Sequence, residues 1–245
     1  MILAMESSAK PASAAVCQDG KLLGQYFQNS GMTHSRTLLT MVRTLLKNLD
    51  MQISDVDIIA VSRGPGSFTG IRIGVSAAKG LAWGVDKPVC GVSTLEAMAY
   101  QAQFYGALLC PVMDARRGQV YNALFKGTNG APERLCEDRA ISLEALAAEL
   151  KETQKNPPPQ DPRPQTTDHY PLTTNHYPLL TGDGATITQE YLQSAGITTQ
   201  IAPSLLRYQT AYGVALAAEK TKPTPATDLE PTYLRPSQAE RERNA

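Results

Sequence analysis

An α/β protein built as two similar halves is the fold class this 245-residue sequence predicts, and three observations predict it. An opening run of three strand-like segments gives way to alternating helical and strand-like ones. The same order, β-β-β-α-β-α-β-α, returns in the second half without obvious sequence identity. An acidic residue, Glu6 or Asp114, ends the first strand of each half and is followed by small or polar residues and a hairpin. Two such halves facing each other imply a cleft, with residues 1–105 forming one half and 106–245 the other.

Each element has its own warrant. Apolar alternation marks strands near 2–5, 12–18 and 21–28, and Asp19-Gly20 closes a hairpin between the last two. A helix starts near Thr33, because Leu38, Val42, Leu45, Leu46 and Leu49 recur at three- and four-residue spacing while Arg36, Arg43 and Lys47 occupy its other face. A buried-looking strand at Asp57–Ser62, a Gly-rich turn, a helix from about Gly70 to Gly84 and a strand near Pro88–Gly91 follow. The next helix takes Ser93 or Thr94 as its cap. In the second half the pattern predicts strands near 107–113, 118–126 and 134–140, a helix after Ser142, a strand at Leu179–Thr181, then a helix, a strand and a helix.

Composition excludes several function classes. With 42% hydrophobic and 19% charged residues, and 23 Lys plus Arg balanced by 23 Asp plus Glu, the chain has an ordinary soluble globular make-up and no net charge. It lacks the long-range field that non-specific nucleic-acid binding needs. No apolar run approaches the roughly 20 residues needed to span a bilayer. The start reads as a first strand rather than a signal peptide, so the expected location is cytoplasmic with no membrane partner. Cys17, Cys90, Cys110 and Cys136 are spaced irregularly, fitting neither a zinc site nor a disulfide framework, and read as core thiols.

Between Lys155 and Pro178 lie seven of the 17 prolines and a near-repeat, Thr166-Thr-Asp-His-Tyr-Pro-Leu172 and Thr173-Thr-Asn-His-Tyr-Pro-Leu179. The segment at 155–178 reads as a solvated, proline-extended insertion in the second half. His169 and His176 within it are a weak pair for a metal.

The motif Arg63-Gly-Pro-Gly-Ser-Phe-Thr-Gly-Ile-Arg-Ile-Gly74 is the strongest local signal. It sits between a strand and a helix, where backbone amides and a helix N-terminus favour anions. It is not a Walker A loop, because Thr69 stands where the second Gly belongs and no Lys-Ser or Lys-Thr follows. Gly64, Gly66, Ser67, Thr69 and Gly70, with Glu6, Ser7, Ser8 and Asp114 at strand ends, are therefore candidates to lie near a nucleotide or phosphate. The same glycines equally fit a tight turn that lets strand and helix pack closely, and Glu6, Asp114 and Asp183 equally fit cap or turn roles. Gly70, Gly74, Gly80 and Gly84 in one helix each cost about 1 kcal/mol against Ala, so their small face should meet another helix of the chain or of a partner. His34 is the only histidine outside the insertion and opens a helix, which disfavours a Ser-His or Cys-His enzyme.

These residues resemble the bacterial TsaB (YeaZ) family, partners in threonylcarbamoyladenosine modification of tRNA. The resemblance covers nearly the whole chain. It rests on Met1-Ile-Leu-Ala-Met-Glu-Ser-Ser8, Thr33-His-Ser35, the 63–74 motif, Gly91-Val-Ser-Thr-Leu-Glu96, Asp114-Ala-Arg116 and Pro231-Thr-Tyr-Leu-Arg235. It implies the acetate kinase/hexokinase/Hsp70/actin (ASKHA) fold of two ribonuclease-H-like halves. It further implies a non-catalytic subunit that pairs with TsaD and, with TsaE, supports transfer of threonylcarbamoyl from its adenylate to the tRNA adenosine beside the anticodon. On that reading tRNA is met only through the complex, no cofactor is intrinsic, and ATP with Mg²⁺ belongs to the complex. The helices near Thr33 and Gly70 would dock on the equivalent pair of TsaD through Thr33, His34, Leu38, Arg72, Gly74, Ala77, Ala78 and Leu81; a homodimer through that face is left open. In TsaD the segment like Gly91–Met98 carries two metal-binding histidines, whereas Thr94 and Met98 stand at those places here, a poor ligand pair for that metal. The 155–178 insertion is also atypical of the family. The rival readings are a stand-alone ATPase or kinase-like enzyme using Glu6 and Asp114, and, more weakly, a peptidase.

Overall fold

The computed structural model describes residues 1–105, 108–128, 130–155 and 177–235; the two insertion histidines and the near-repeat up to residue 176 lie outside the described residues. The first half runs β1 (Ile2–Glu6), β2 (Ala12–Gln18), β3 (Lys21–Gln28), α1 (His34–Asn48), β4 (Ile58–Gly64), α2 (Phe68–Val85), β5 (Val89–Ser93) and α3 (Thr94–Gln101). The second runs β6 (Leu108–Arg116), β7 (Gln119–Asn122), β8 (Phe125–Lys126), β9 (Glu133–Arg134), β10 (Arg139–Ser142), α4 (Leu143–Lys155), β11 (Leu179–Thr181), α5 (Ala185–Ser194), β12 (Gln200–Ile201), α6 (Ser204–Arg207) and α7 (Ala211–Ala218).

The first sheet has the order β3-β2-β1-β4-β5, antiparallel across β1-β2-β3 and parallel across β1-β4-β5. The second sheet has the matching order β10-β7-β6-β11-β12, with β8 and β9 added beside β6. The repeated order is that of two ribonuclease-H-like halves. Pro111 in β6 has no N–H to donate, and near it the facing strand breaks into β7 and β8. The Pro111 carbonyl is taken instead by the Asn122 side-chain amide at 3.0 Å. The single strand expected over 118–126 is therefore two short ones.

Burial follows the period of each element. Along β1, Leu3 and Met5 face one apolar cluster while Ile2 and Ala4 face another, so both sides of the sheet are covered. Helices α1 and α2 cover the first side through Leu38, Met41, Val42, Leu45 and Leu46 and through Ile71, Val75, Ala78 and Ala82. Truncating Leu38 or Leu45 to Ala should cost about 2–5 kcal/mol. Helix α7 covers the other side. Apolar nearly all round, it has seven of its eight residues buried, as such a helix must. It also crosses α3 so closely that a Cβ on Gly213 would stand 2.3 Å from the Ala97 carbonyl oxygen. Helix α3 lies between the halves, with Ala97 and Tyr100 in the α7 cluster and Leu95, Met98 and Ala99 against β6.

The chain after residue 218 also returns to the first half. Leu229 is buried in the α1/α2 cluster, Thr224 bridges Val89, and Lys79 Nζ donates to the Thr227 and Leu229 carbonyls. On α3's flank, Arg134 of the second half lies between Glu96 (3.1 Å) and Asp138 (2.7 Å), over the Phe125 ring, and ties the halves together.

Candidate functional site

The carboxyl ends of parallel strands are where α/β sheets gather ligands, and here β1, β4 and β5 bring Glu6, Ser7, Ser8, Ser62 and Thr94 together. All five are fully buried. Glu6 Oε1 accepts the Ser8 N–H at 2.5 Å, and the Ser7 hydroxyl donates to the Gly70 carbonyl at 2.9 Å. Burial, the dominant cause, pushes the Glu6 carboxyl above the usual range against the opposing pull of its hydrogen bonds. Glu6 Oε2 and the hydroxyls of Ser8, Ser62 and Thr94 have no hydrogen-bond partner among the described residues. In the second half Asp114 makes the same turn, its Oδ1 accepting the Arg116 N–H at 2.7 Å. Both strand-end carboxylates thus close a local turn. Asp183 lies beyond β11 on a Gln209 side chain, and its carboxyl is pushed upward by burial first and by the Asp114 charge second.

The Gly-rich motif packs tightly against its own chain. A Cβ at Gly64, where φ is +124°, would stand 2.2 Å from the Thr232 carbonyl oxygen. At Gly66 the Ser8 carbonyl oxygen would be 2.3 Å away, and at Gly70 the Ser7 carbonyl oxygen 2.1 Å away. The positions a Cβ would take at Gly64, Gly66 and Gly70 are filled by the chain's own backbone, as the close-packing reading of these glycines expects. Ser67 caps α2 by accepting the Gly70 N–H, and its own N–H donates to the Ser8 carbonyl. Thr69, two residues on, is exposed.

Helix α2 separates its small residues onto two faces. Gly74 and Ala78 are buried, and a Cβ on Gly74 would meet Ser7 Oγ at 2.5 Å and Val61 at 3.2 Å. Leu38 is 1% exposed. These three were expected to touch a partner; all three are instead buried within the chain, Leu38 and Ala78 in the same apolar cluster as Ile71, Val75 and Ala82. Thr33, His34, Arg72, Ala77 and Leu81 remain wholly or partly at the surface. His34 Nε2 donates to the Ala9 carbonyl at 2.7 Å, which commits that nitrogen. On the outer face of α2, Gly80 and Gly84 have nothing within 4 Å of a Cβ, and Trp83 is 81% exposed.

The sequence reading missed the tail's place and the prominence of Trp83. The Thr232 N–H donates to the Arg63 carbonyl, and Tyr233 stacks on Phe68 at 4.4 Å and accepts from Arg72 Nε at 2.9 Å. Arg235 Nη1 reaches the Ala115 carbonyl in the second half at 2.6 Å. No periodicity announces such an irregular strap, whereas a lone Trp between two helix glycines was visible.

The chemistry of these groups is limited. Thr94 and Met98 are both buried, and Met98 Sδ packs toward Gly182 in an apolar cluster. Among the described residues no group of three His, Cys, Asp or Glu side chains is placed to hold a metal, and no helix is long and apolar enough to cross a membrane. All four cysteines are free, and burial pushes Cys17 and Cys110 up to about 12 and Cys90 to about 11, far from reactive thiolates.

Known proteins share this arrangement. A family model described as TsaD, tRNA N6-adenosine threonylcarbamoyltransferase, matches residues 28–242. The tRNA threonylcarbamoyladenosine biosynthesis protein TsaB of Bacillus subtilis (strain 168) is 37% identical over 154 residues, covering 63% of this chain and 67% of that protein. The protein of the same name from Escherichia coli (strain K12) is 39% identical over 127 residues, covering 51% and 54%. The matched stretch thus spans two thirds of the first relative and about half of the second. Over nearly full length the structure resembles YeaZ from Pseudomonas aeruginosa, with a TM-score of 0.68, 26% identity, and 95% and 99% of the two chains covered. A second Pseudomonas aeruginosa structure, described as similar to peptidase YEAZ, has a TM-score of 0.72 at 24% identity, covers 96% and 99%, and speaks for the fold alone.

Proposed function

The chain belongs to the TsaB family, within the wider family whose model describes the TsaD threonylcarbamoyltransferases, and from that membership we propose that it is a non-catalytic subunit of the machinery that makes threonylcarbamoyladenosine in tRNA. It docks on a TsaD-family transferase and, with a TsaE homologue, supports transfer of threonylcarbamoyl from its adenylate to the tRNA adenosine next to the anticodon. The setting is cytoplasmic, and any ATP and Mg²⁺ belong to the assembled complex.

The observation that carries this reading is the outer face of α2. Two helix glycines there cost about 1 kcal/mol each and serve no contact within the chain, and beside them stands the sequence's one Trp, largely exposed. Gly80 and Gly84 make a floor on which another helix can approach at about 8 Å between axes, and Trp83 is the residue type that anchors interfaces. A TsaD-family protein shares the fold and presents an equivalent helix pair, so it is the proposed occupant. The non-catalytic role is supported by Thr94 and Met98, whose side chains supply neither the charge nor the basicity that the transferase metal needs.

The test is reconstitution with purified TsaD and TsaE homologues, an unmodified tRNA transcript and threonylcarbamoyl-adenylate. Modified adenosine should form only when this chain is present, and none should form with this chain and tRNA alone. Full activity of the mixture without this chain, or turnover by the chain alone, would overturn the proposal.

A further inference from the structure

The hairpin between β6 and β7 carries a cost that nothing in the chain explains. Arg116, Arg117 and Gly118 are consecutive residues in the left-handed region, with φ of +67°, +57° and +69°. Arg117-Gly118 is the two-residue turn between the paired Arg116 and Gln119, a turn that favours Asn-Gly, and the left-handed conformation is disfavoured at both arginines. Arg116 and Arg117 are exposed, Arg116 with 83% of its side chain in solvent, and nothing lies within 4 Å of a Cβ on Gly118. The tip is therefore convex and open. A third guanidinium stands at its foot, where Arg235 of the tail donates to the Ala115 carbonyl. Of the carboxylates, Asp114 pairs with Arg116 at 3.6 Å; the backbone of α4 also meets the tip, its Leu143 N–H donating to the Gly118 carbonyl. Among the described residues Arg117 has no carboxylate within ion-pair distance.

Its position matters as much as its charge. Only Leu234 separates Tyr233, which is stacked on Phe68 in the first turn of α2, from Arg235, so the tail ties the foot of the arginine tip to the N-terminal end of the helix whose far end carries the proposed docking face. From these juxtapositions we infer that the Arg116-Arg117 hairpin tip, with Arg235 at its base, contacts the phosphate backbone of the RNA substrate. Guanidinium forks match phosphate oxygens two at a time and stay charged at every physiological pH. A convex tip suits an extended polyphosphate chain, whereas a free nucleotide needs a concave site to enclose it. Three cations, one of them paired with Asp114, give a contact that adds to a partner's grip rather than replacing it, which agrees with the chain's zero net charge.

The inference rests on the proposed function for the identity of the RNA, and the test separates the two. The complex with a TsaD homologue is titrated with a labelled unmodified tRNA transcript across salt concentrations, using wild-type chain and the double variant Arg116→Asn, Arg117→Gly. Because Asn and Gly relax the turn, the variant should melt at a higher temperature while the complex loses about tenfold in tRNA affinity, and the salt slope should fall by about 2. A structural role alone would move stability and binding together. Unchanged affinity and slope with an intact complex would overturn the inference and leave the proposed function standing. So would loss of ATP binding by the chain alone with tRNA affinity unchanged, since the tip would then serve a free polyphosphate. If no complex forms, the proposed function fails, and the same tenfold difference is sought with the chain alone at about 20 mM salt, where equal affinities reject the RNA contact.

Discussion

Two pairs of glycines on one helix have opposite surroundings. Gly70 and Gly74 lie against the end of β1 with Ser7 closer than any Cβ would allow, while Gly80 and Gly84 face open space. The first pair is explained by folding: it lets α2 sit low enough for Ile71, Val75 and Ala78 to be buried. The second pair weakens the helix and gives the isolated chain nothing in return. The difference assigns the inner pair to the fold and leaves the outer pair as the face on which the proposed partner would dock.

The largest effect should come from filling the inner face. Gly70→Leu drives its Cβ into the Ser7 carbonyl, a backbone atom that cannot yield without moving β1, and should cost about 4 kcal/mol or more. Urea denaturation would read it, and a midpoint close to wild type would break the contrast between the faces. Gly80→Leu should instead leave the midpoint within about 0.5 kcal/mol of wild type, or raise it, while weakening association with a TsaD homologue at least about 100-fold, or some 2.7 kcal/mol by titration calorimetry. Trp83→Ala should weaken the same association by about 2 kcal/mol with no change in melting temperature. Gly84→Ala, near the end of the helix, should stabilise the chain by about 0.5–1 kcal/mol, a rise of about 1–4 °C in melting temperature.

The smallest effect concerns pH. Glu6 beside Ser7 is held with a raised pKa, so its folded form retains a proton that the unfolded chain releases more readily. The stability tied to that proton is fully present below the unfolded value near 4.5 and is lost as pH rises through the folded value. Glu6→Gln, which cannot ionise, should therefore gain on wild type as pH rises from 4 to 8. Parallel stability curves for the two proteins would show that burial does not govern this carboxyl.

Most of the fold was legible because each element repeats its pattern: alternation in residues 2–5, the leucine stripe of α1, the Asp19-Gly20 turn. Helix α2 begins at Phe68, two residues before the expected start, because Ser67 supplies the cap; the split of β7 from β8 traces to Pro111, whose effect falls on the partner strand. The candidate site was only half legible. The motif residues were found, but whether a glycine loop meets a ligand or its own chain depends on Ser7, Ser8 and Thr232, and Thr232 arrives more than 150 residues later. The four glycines of α2 looked alike in sequence; the direction of their neighbours Ile71, Val75 and Ala82 decided which pair turned inward.

The central claim is that the outer face of α2 docks a TsaD-family partner, and light scattering on size-exclusion fractions tests it most directly. The wild-type chain mixed with its TsaD homologue should elute as a heterodimer, and Gly80→Leu, folded and monodisperse, should elute apart from it. A wild-type chain that never associates, or a Gly80→Leu chain that associates as well as wild type, would contradict the account.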